Sequence, residues 1–354
     1  MAAGNDSTGG GPQTPSADHQ QVLAERLAAA VARHLDWRLP GDPSIAKLAR
    51  LTAGAANETW SFDVQGGADA LGCILRRSPA VVVPASDDTA AGTNLGKAGE
   101  AVVQQAARAA GVAAPEVLFI LDADDGLGDG YVMARLEGET LPRRILRDEM
   151  YADLRERLAE LCGETLAGIH GVDPAALPPL ALMTAREQIE RYGEIYRGFG
   201  QPVAVFELTL RWLTDHLRSP ERLSLVHGDF RNGNLMVGPE GIRAVLDWEL
   251  AHLGDPMEDL GWLCVNSWRF GEVDHPVGGF GRREALFAGY EAAGGGRVDP
   301  EAVRYWEVFG TLKWGIMCMI MTHGHLAGVT RSVEKAAIGR RVSETELDLL
   351  NLLR

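Results

Sequence analysis

The chain changes its hydrophobic pattern once, near residue 138, and this change limits the folds that it can adopt. Before that point, Trp60, Phe62 and Val64 alternate with polar residues, as on a half-buried strand. The stretches "GCILRRSP" and "EVLFILDADDGLGDGYVMARLEG" predict a further strand and a hairpin with an acidic, glycine-rich tip. Beyond it, Leu154 and Leu158 recur at helical spacing. We therefore predict an α+β fold with a small antiparallel N-terminal sheet and a larger, mainly helical C-terminal part.

The same pattern sets the expected boundaries. Residues 1–18 are rich in Gly, Ser, Pro and Thr, and we expect a disordered tail there. An N-terminal lobe should cover residues 19–136 and a helical C-terminal lobe residues 137–354. Helices are expected over about 98–110, 183–198, 203–217 and through 300–354.

Composition narrows the functional classes. The formal net charge of -15 argues against nucleic-acid binding, because phosphate backbones attract basic surfaces. Four cysteines stand far apart without metal-ligand spacing, which is typical of free thiols in a reducing cytoplasm. We find neither a signal peptide nor an apolar run long enough to cross a membrane, so we expect a cytoplasmic protein. The oligomeric state is left open.

A polar stretch between two apolar runs, "SLVHGDFRNGNLMVG", is the strongest functional signal. It is followed by "VLDWE", so that Asp229 and Asn234 precede Asp247 at a spacing suited to phosphoryl transfer. Such a reaction needs positioning, a divalent metal with oxygen ligands, and a carboxylate that orients the attacking hydroxyl. Asn234 and Asp247 can supply metal ligands, and Asp229 can accept the hydroxyl proton. The alternative is a tight Asn-Gly hairpin stabilised by side-chain turns.

These segments resemble those of the aminoglycoside phosphotransferase-like kinases. The wider stretches "WELAHLGDPMEDLGWLC", "WRFG", "VGGFG" and "YWEVFGTLKWG" are similar to the kinase-like domain fused to certain acyl-CoA dehydrogenases and to its free-standing bacterial relatives. The resemblance covers about residues 20–354. It implies a bilobal protein-kinase-like fold, ATP and Mg²⁺ as cofactors, and a hydroxyl group of a small molecule as acceptor.

The resemblance also implies roles for residues of the C-terminal lobe. Asp229 would be the catalytic base, and Asn234 and Asp247 would bind Mg²⁺. His227 would pack the loop, and Asp259 would cap the loop backbone from a helix. Glu249 would either support the metal ligands or be purely structural.

In the N-terminal lobe, the resemblance points to nucleotide binding. "TAGAANET" stands where such kinases carry the loop that covers the phosphates, so the backbone N–H groups of Gly54, Ala56 and Asn57 could face phosphate oxygens. The hinge against which adenine lies would be formed by Met133, Ala134 and Leu136.

The basic residue that holds the nucleotide should come from "CILRR". We favour Arg76, with Glu100 on the following helix as its ion-pair partner, and Arg77 is the competitor shifted by one position. A surface ion pair is the alternative interpretation of Arg76 and Glu100.

The acceptor is less well defined. From residue 258 to 354 there are 13 acidic residues and 11 lysines or arginines, so the negative charge that a polycationic aminoglycoside requires is not concentrated there. Arg269 beside Trp268, and Lys313 in an apolar helix, favour an anionic or acyl-type acceptor, as does the resemblance: a hydroxyacyl-CoA or a hydroxy acid. A salt bridge to a helix carboxylate is the alternative role of Arg269. An aminoglycoside O-phosphotransferase and a nucleotide-binding pseudokinase scaffold are the alternative functions.

Overall fold

The computed structural model describes residues 17–38, 42–53, 58–66, 70–78, 95–329 and 332–354. Helix α1 (Ala17–His34) begins where the expected disordered tail ends, and nearly all of that tail lies outside the described residues.

A five-stranded antiparallel sheet follows, in the order β1-β2-β3-β5-β4, as the sequence predicts. The predicted acidic hairpin is confirmed, with Ile120 opposite Tyr131 across its two strands. Helix α2 (Gly96–Ala109) precedes this hairpin. The strands are β1 (Ser44–Ala53), β2 (Glu58–Gln65), β3 (Leu71–Ser78), β4 (Val117–Ile120) and β5 (Asp129–Ala134).

The two faces of the sheet have different partners, because side chains alternate along a strand. Cys73 and Leu75 of β3 lie in one apolar cluster with buried residues of α1. Ile74 lies on the opposite face, in a cluster with Ala101 of α2. Arg76 therefore shares the α2 face, whereas Arg77 belongs to the other.

The C-terminal part is mainly helical. Two two-stranded ladders interrupt it: β6 (Ser224–Val226) pairs with β9 (His252–Gly254), and β7 (Leu235–Gly238) with β8 (Gly241–Val245). The polar loop connects β6 to β7. The helices are α3 (Pro142–Arg147), α4 (Ala152–His170), α5 (Ala185–Gly198), α6 (Ala204–Asp215), α7 (Met257–Cys264), α8 (Arg283–Ala292), α9 (Pro300–Leu326), α10 (Val333–Ile338) and α11 (Val342–Leu352).

Close helix packing explains why these helices form one core. Helices α4 and α8 meet at Gly163 and Gly289, where an added Cβ would lie 2.1 Å from Leu286 O and 2.2 Å from Glu160 O, respectively.

The four cysteines are free and buried, as the sequence predicts. Within the described ranges, none of the helices is both long and apolar enough to cross a membrane.

Candidate active site

The backbone of the polar loop is fixed from helix α7. Buried Asp259 accepts hydrogen bonds from the amides of His227 (2.8 Å) and Gly228 (2.9 Å), which is the capping contact that the resemblance implied. Gly228 has φ +79°, and an added Cβ would lie 2.5 Å from Leu250 O. Only glycine fits this turn without strain, so the loop enters the site in one conformation.

The ring nitrogens of the two buried histidines near Asp259 contact groups within the protein. His170 Nε2 lies 3.1 Å from Asp259 and its Nδ1 lies 2.9 Å from the Tyr290 hydroxyl. His227 Nε2 lies 3.1 Å from Leu246 O, and its Nδ1 accepts from the Asp229 amide at 3.2 Å. Burial lowers the pKa of His227, so its ring is neutral at neutral pH. These contacts agree with a packing role for His227.

The carboxylate of Asp229 is held by three donors. Its Oδ1 accepts from Trp262 Nε1 (2.9 Å) and from Arg231 Nε (3.0 Å), and its Oδ2 accepts from Asn234 Nδ2 (2.6 Å). The side chain stays 16% exposed, so a substrate can approach it. A preorganised, accessible carboxylate of this kind can orient a hydroxyl and accept its proton.

Asn234 and Asp247 lie side by side at one end of the β7–β8 hairpin. The Leu246 amide donates to Asn234 O at 2.8 Å, which places Asp247 directly beyond this pair. Asp247 has φ +68°, a backbone conformation that is costly for a non-glycine residue and is typical of functional sites. Because Asn234 Nδ2 points to Asp229, its amide oxygen is left for another partner. An amide oxygen beside a carboxylate fits the oxygen preference of Mg²⁺.

A cluster of charged side chains joins the sheet to this hairpin. Arg76 lies 3.1 Å from Glu100, so the expected ion pair is confirmed, and 2.7 Å from Asp247. Burial opposes the charge of Arg76, but Glu100 and Asp247 outweigh it and raise the Arg76 pKa well above its usual value. Arg77, on the other face, pairs with Glu58 at 2.8 Å. The strand register therefore brings Arg76, and not Arg77, to the site.

Lys97 completes this interlobe cluster and was not predicted. Its Nζ is 2.8 Å from both Glu100 and Glu249, and its side chain is only 4% exposed. The spacing Lys97-x-x-Glu100 in "GKAGE" was the available local signal. The contact with Glu249 shows that this residue joins the cluster beside Asp247.

The structure describes only some of the other residues that were predicted to contact the nucleotide. The phosphate-covering loop with Gly54, Ala56 and Asn57 lies outside the described residues. At the expected hinge, Met133 and Ala134 end strand β5, and the Ala134 amide donates to Glu116 O at 2.8 Å. Leu136 lies just beyond the end of β5. A few residues later, Glu139 forms an isolated β-bridge with Val237 of the C-terminal part.

The two residues that were predicted to contact the small-molecule acceptor have different surroundings. Arg269 donates to Cys264 O at 2.7 Å and pairs with Glu307 at 3.0 Å, which is the salt bridge to a helix carboxylate that the sequence left open. Trp268 is 5% exposed and lies in an aromatic cluster with Trp262. Since Trp262 contacts Asp229, Trp268 belongs to the surroundings of the candidate active site, whereas the Arg269 guanidinium is used within the protein.

A bilobal kinase-like α+β fold with the polar loop beside the hairpin β7–β8 is the architecture expected of a phosphotransferase family. The model of the "Phosphotransferase enzyme family" matches residues 47–295, and the chain belongs to this family.

The chain is also similar in sequence to curated proteins. The chain is 31% identical over 174 residues to "Acyl-CoA dehydrogenase family member 10" of Mus musculus, covering 46% of this chain and 16% of the relative. It is 30% identical over 254 residues to family member 11 of Gallus gallus, covering 66% of this chain and 30% of the relative. The chain thus spans less than a third of the length of either relative.

Among solved structures, a protein of Ralstonia eutropha JMP134 described as an aminoglycoside phosphotransferase superposes with a TM-score of 0.67 at 21% identity, covering 91% of this chain and 95% of that chain. The aminoglycoside phosphotransferase APH(4)-Ia, in a ternary complex with ADP and hygromycin B, superposes with a TM-score of 0.55 at 18% identity, covering 90% and 98%. These likenesses show the fold.

Proposed function

We propose that the chain is an ATP- and Mg²⁺-dependent kinase that transfers the γ-phosphate to a hydroxyl group of a small molecule. The observation that carries this proposal is the Asp229 carboxylate, fixed by three donors, next to the hairpin end that presents Asn234 and Asp247. Membership of the phosphotransferase family and the nucleotide-bound structural neighbour support it.

Each residue has a distinct task in this reaction. The acceptor oxygen forms a bond to the γ-phosphorus, the bond from that phosphorus to the β–γ bridging oxygen breaks, and the hydroxyl proton passes to Asp229. Arg76 would exchange Asp247 for a phosphate group of the nucleotide. Asn234 and Asp247 would hold Mg²⁺, which when bound neutralises charge on the phosphates.

For the acceptor, we propose a hydroxy acid or a hydroxyacyl-CoA. The names of the relatives, acyl-CoA dehydrogenase family members, support an acyl-type molecule. The balanced charge of residues 258–354 supports an acceptor that is not a polycation.

The test is acceptor-dependent ADP release by the purified protein with MgATP. The panel contains hydroxyacyl-CoA thioesters, free hydroxy acids, aminoglycosides and amino alcohols. We expect Asp229→Ala to reduce turnover by about 10²- to 10⁴-fold while MgATP binding is kept. The matched control is Asp124→Ala, which removes an exposed carboxylate at the hairpin tip. Full activity of Asp229→Ala would contradict the assigned role, and ATP binding without any accepted hydroxyl would favour a pseudokinase.

A further inference from the structure

Helix α9 buries a lysine beside the proposed catalytic carboxylate. Lys313 is 4% exposed, and its Nζ lies 4.9 Å from the centroid of the Trp262 ring and 5.9 Å from that of Tyr192. Burial lowers the pKa of Lys313, but Tyr192 and nearby carboxylates outweigh it and raise the pKa above its usual value. The lysine is therefore a buried cation at neutral pH.

This cation has no direct counter-ion in the described part of the chain, where no carboxylate lies within 4.0 Å of its Nζ. The acids whose charge reaches it are hydrogen-bonded elsewhere. Asp229 is bound to Arg231, Trp262 and Asn234, and Asp259 to the loop amides and His170. Glu258 is held by Gln188 at 2.8 Å and His252 at 3.3 Å. The hydrogens of a buried ammonium need an acceptor at short range, and an anionic partner from outside would supply one.

The other rings of the aromatic cluster that contains Trp262 are already covered by cations of the protein itself. Arg231 lies 4.6 Å above Trp268, and Arg341 lies 5.6 Å above Trp314. Aromatic rings that would otherwise attract a cationic acceptor are thus occupied. In the described part of the molecule, the buried Nε1 atoms of Trp268 and Trp314 also have no acceptor. The aromatic cluster therefore offers free N–H donors and carries positive charge on its rings, and both features suit an oxyanion.

Lys313 and Asp229 contact the same indole. Trp262 donates its Nε1 to Asp229 at 2.9 Å and presents its ring to Lys313. An acceptor that places its hydroxyl at Asp229 would therefore meet Lys313 with a group that lies across the width of this ring. The phosphates of a CoA thioester are many bonds away from the acyl hydroxyl, so the group next to Lys313 would have to be a carboxylate of the acceptor itself.

We propose that Lys313 binds a carboxylate of the acceptor and thereby selects a free hydroxy acid over an uncharged or cationic alcohol. This inference rests on the proposed function, because it takes Asp229 as the place of the reacting hydroxyl. It commits to one of the two acceptor types left open above.

The experiment measures binding as well as turnover. Using the full chain with saturating MgADP, ligand-detected NMR titrations would compare 3-hydroxybutyrate, its uncharged amide 3-hydroxybutyramide, and 3-hydroxybutyryl-CoA. The proteins are wild type, Lys313→Met, Lys313→Arg and Lys335→Met, a helix lysine control. We expect wild type to bind the acid about tenfold or more tightly than the amide. Lys313→Met should lose this preference, whereas Lys313→Arg and Lys335→Met should keep it.

Several outcomes would overturn the inference: no binding of the acid to wild type, equal binding of acid and amide, or an unchanged preference in Lys313→Met. Tighter binding of the CoA thioester than of the acid, insensitive to Lys313, would also overturn it. MgADP affinity serves as the folding control, and Lys313→Arg keeps the test open if Lys313→Met does not fold.

The two proposals fail separately. Lys313-dependent binding of the acid without any ADP release from MgATP would remove the kinase and leave the carboxylate site. Phosphorylation of an uncharged alcohol at an unchanged rate in Lys313→Met would leave the kinase and remove the carboxylate site.

Discussion

The polar loop and the interlobe cluster both carry buried charges, but they hold them in different ways. The loop is held by Asp259 of helix α7, which is fully buried and is bonded to two backbone amides and to His170, all within the C-terminal part. In the cluster, the charged groups of Arg76 and Lys97, from the N-terminal part, are bonded to carboxylate side chains, and Asp247, a partner of Arg76, remains 31% exposed.

This difference predicts what each region can do. A carboxylate bonded to backbone amides cannot change partners without unfolding the loop, so the loop is suited to fixing Asp229. Side chains that neutralise one another can exchange partners for a phosphate or a metal ion. Changes in the contacts that fix the loop backbone should therefore act mainly on stability, and changes in the cluster mainly on ligand binding.

The largest effect should follow from Asp259→Ala. It leaves the amides of His227 and Gly228 and the ring of His170 without their acceptor in a buried place, which should cost about 3 kcal/mol or more of unfolding free energy. Urea denaturation followed by circular dichroism measures this. Asp124→Ala is the exposed control, and an Asp259→Ala transition at the wild-type midpoint would refute the comparison.

In the cluster, Asp247→Ala should weaken MgATP binding by about 2 kcal/mol, or about 30-fold, because a metal ligand is lost. Binding of ATP without metal should change much less. Calorimetric titration with and without Mg²⁺ measures both affinities, and equal losses under the two conditions would contradict the metal role of Asp247.

Arg76→Met is the matched contrast to that variant. Since Arg76 would contact phosphate and not metal, its loss should weaken ATP and MgATP alike. A purely metal-dependent loss in Arg76→Met would exchange the two roles.

A smaller effect concerns the contact between the lobes. Lys97 Nζ and Glu249 lie 2.8 Å apart, from helix α2 and from the segment after β8. In a double-mutant cycle of Lys97→Met and Glu249→Gln, we expect a coupling of about 1 kcal/mol in MgATP binding. Additive effects within experimental error would show that Glu249 does not act through Lys97.

Sequence alone predicted the local features well, because they depend on local spacing. The strand around Trp60 and the acidic hairpin of β4 and β5 were predicted from the alternation of apolar residues and from turn residues, and the polar loop was predicted from its flanking apolar runs. The choice between Arg76 and Arg77 could only be a preference, since it depends on which face of β3 meets helix α2. In the structure, Ile74 of β3 packs in one cluster with Ala101 of α2, so the face of β3 that carries Ile74 and Arg76 is the one that meets this helix.

Long-range partners could not be predicted in the same way. Lys97 meets Glu249 across 152 positions, and Arg269 meets Glu307 across 38. No periodic pattern links such residues, because only the packed fold brings them together. This is why Lys97 was missed and why Arg269 was left with two interpretations.

The smallest predicted effect is a pH dependence that separates two buried histidines. Burial lowers the pKa of His227. Burial also acts to lower that of His252, but Glu258, 3.3 Å away, outweighs it, and the His252 pKa is raised. His252 therefore stabilises the fold below its unfolded pKa of about 6.5, and this contribution is lost as pH rises through the raised folded pKa. His227 acts in the opposite sense, since its contribution is lost as pH falls below about 6.5.

Replacing His252 removes its pH-dependent contribution to the unfolding free energy and leaves that of His227. In His252→Gln, the unfolding free energy should fall below that of wild type at acidic pH, and the difference should shrink as pH rises through the raised pKa. Urea midpoints between pH 5 and pH 8, about the range over which histidines titrate, measure this difference, and His275→Gln is the control because His275 is exposed. Parallel curves for wild type and His252→Gln would show that the proton on His252 does not couple to folding, and that the hydrogen bond from Gln188 is enough to hold Glu258.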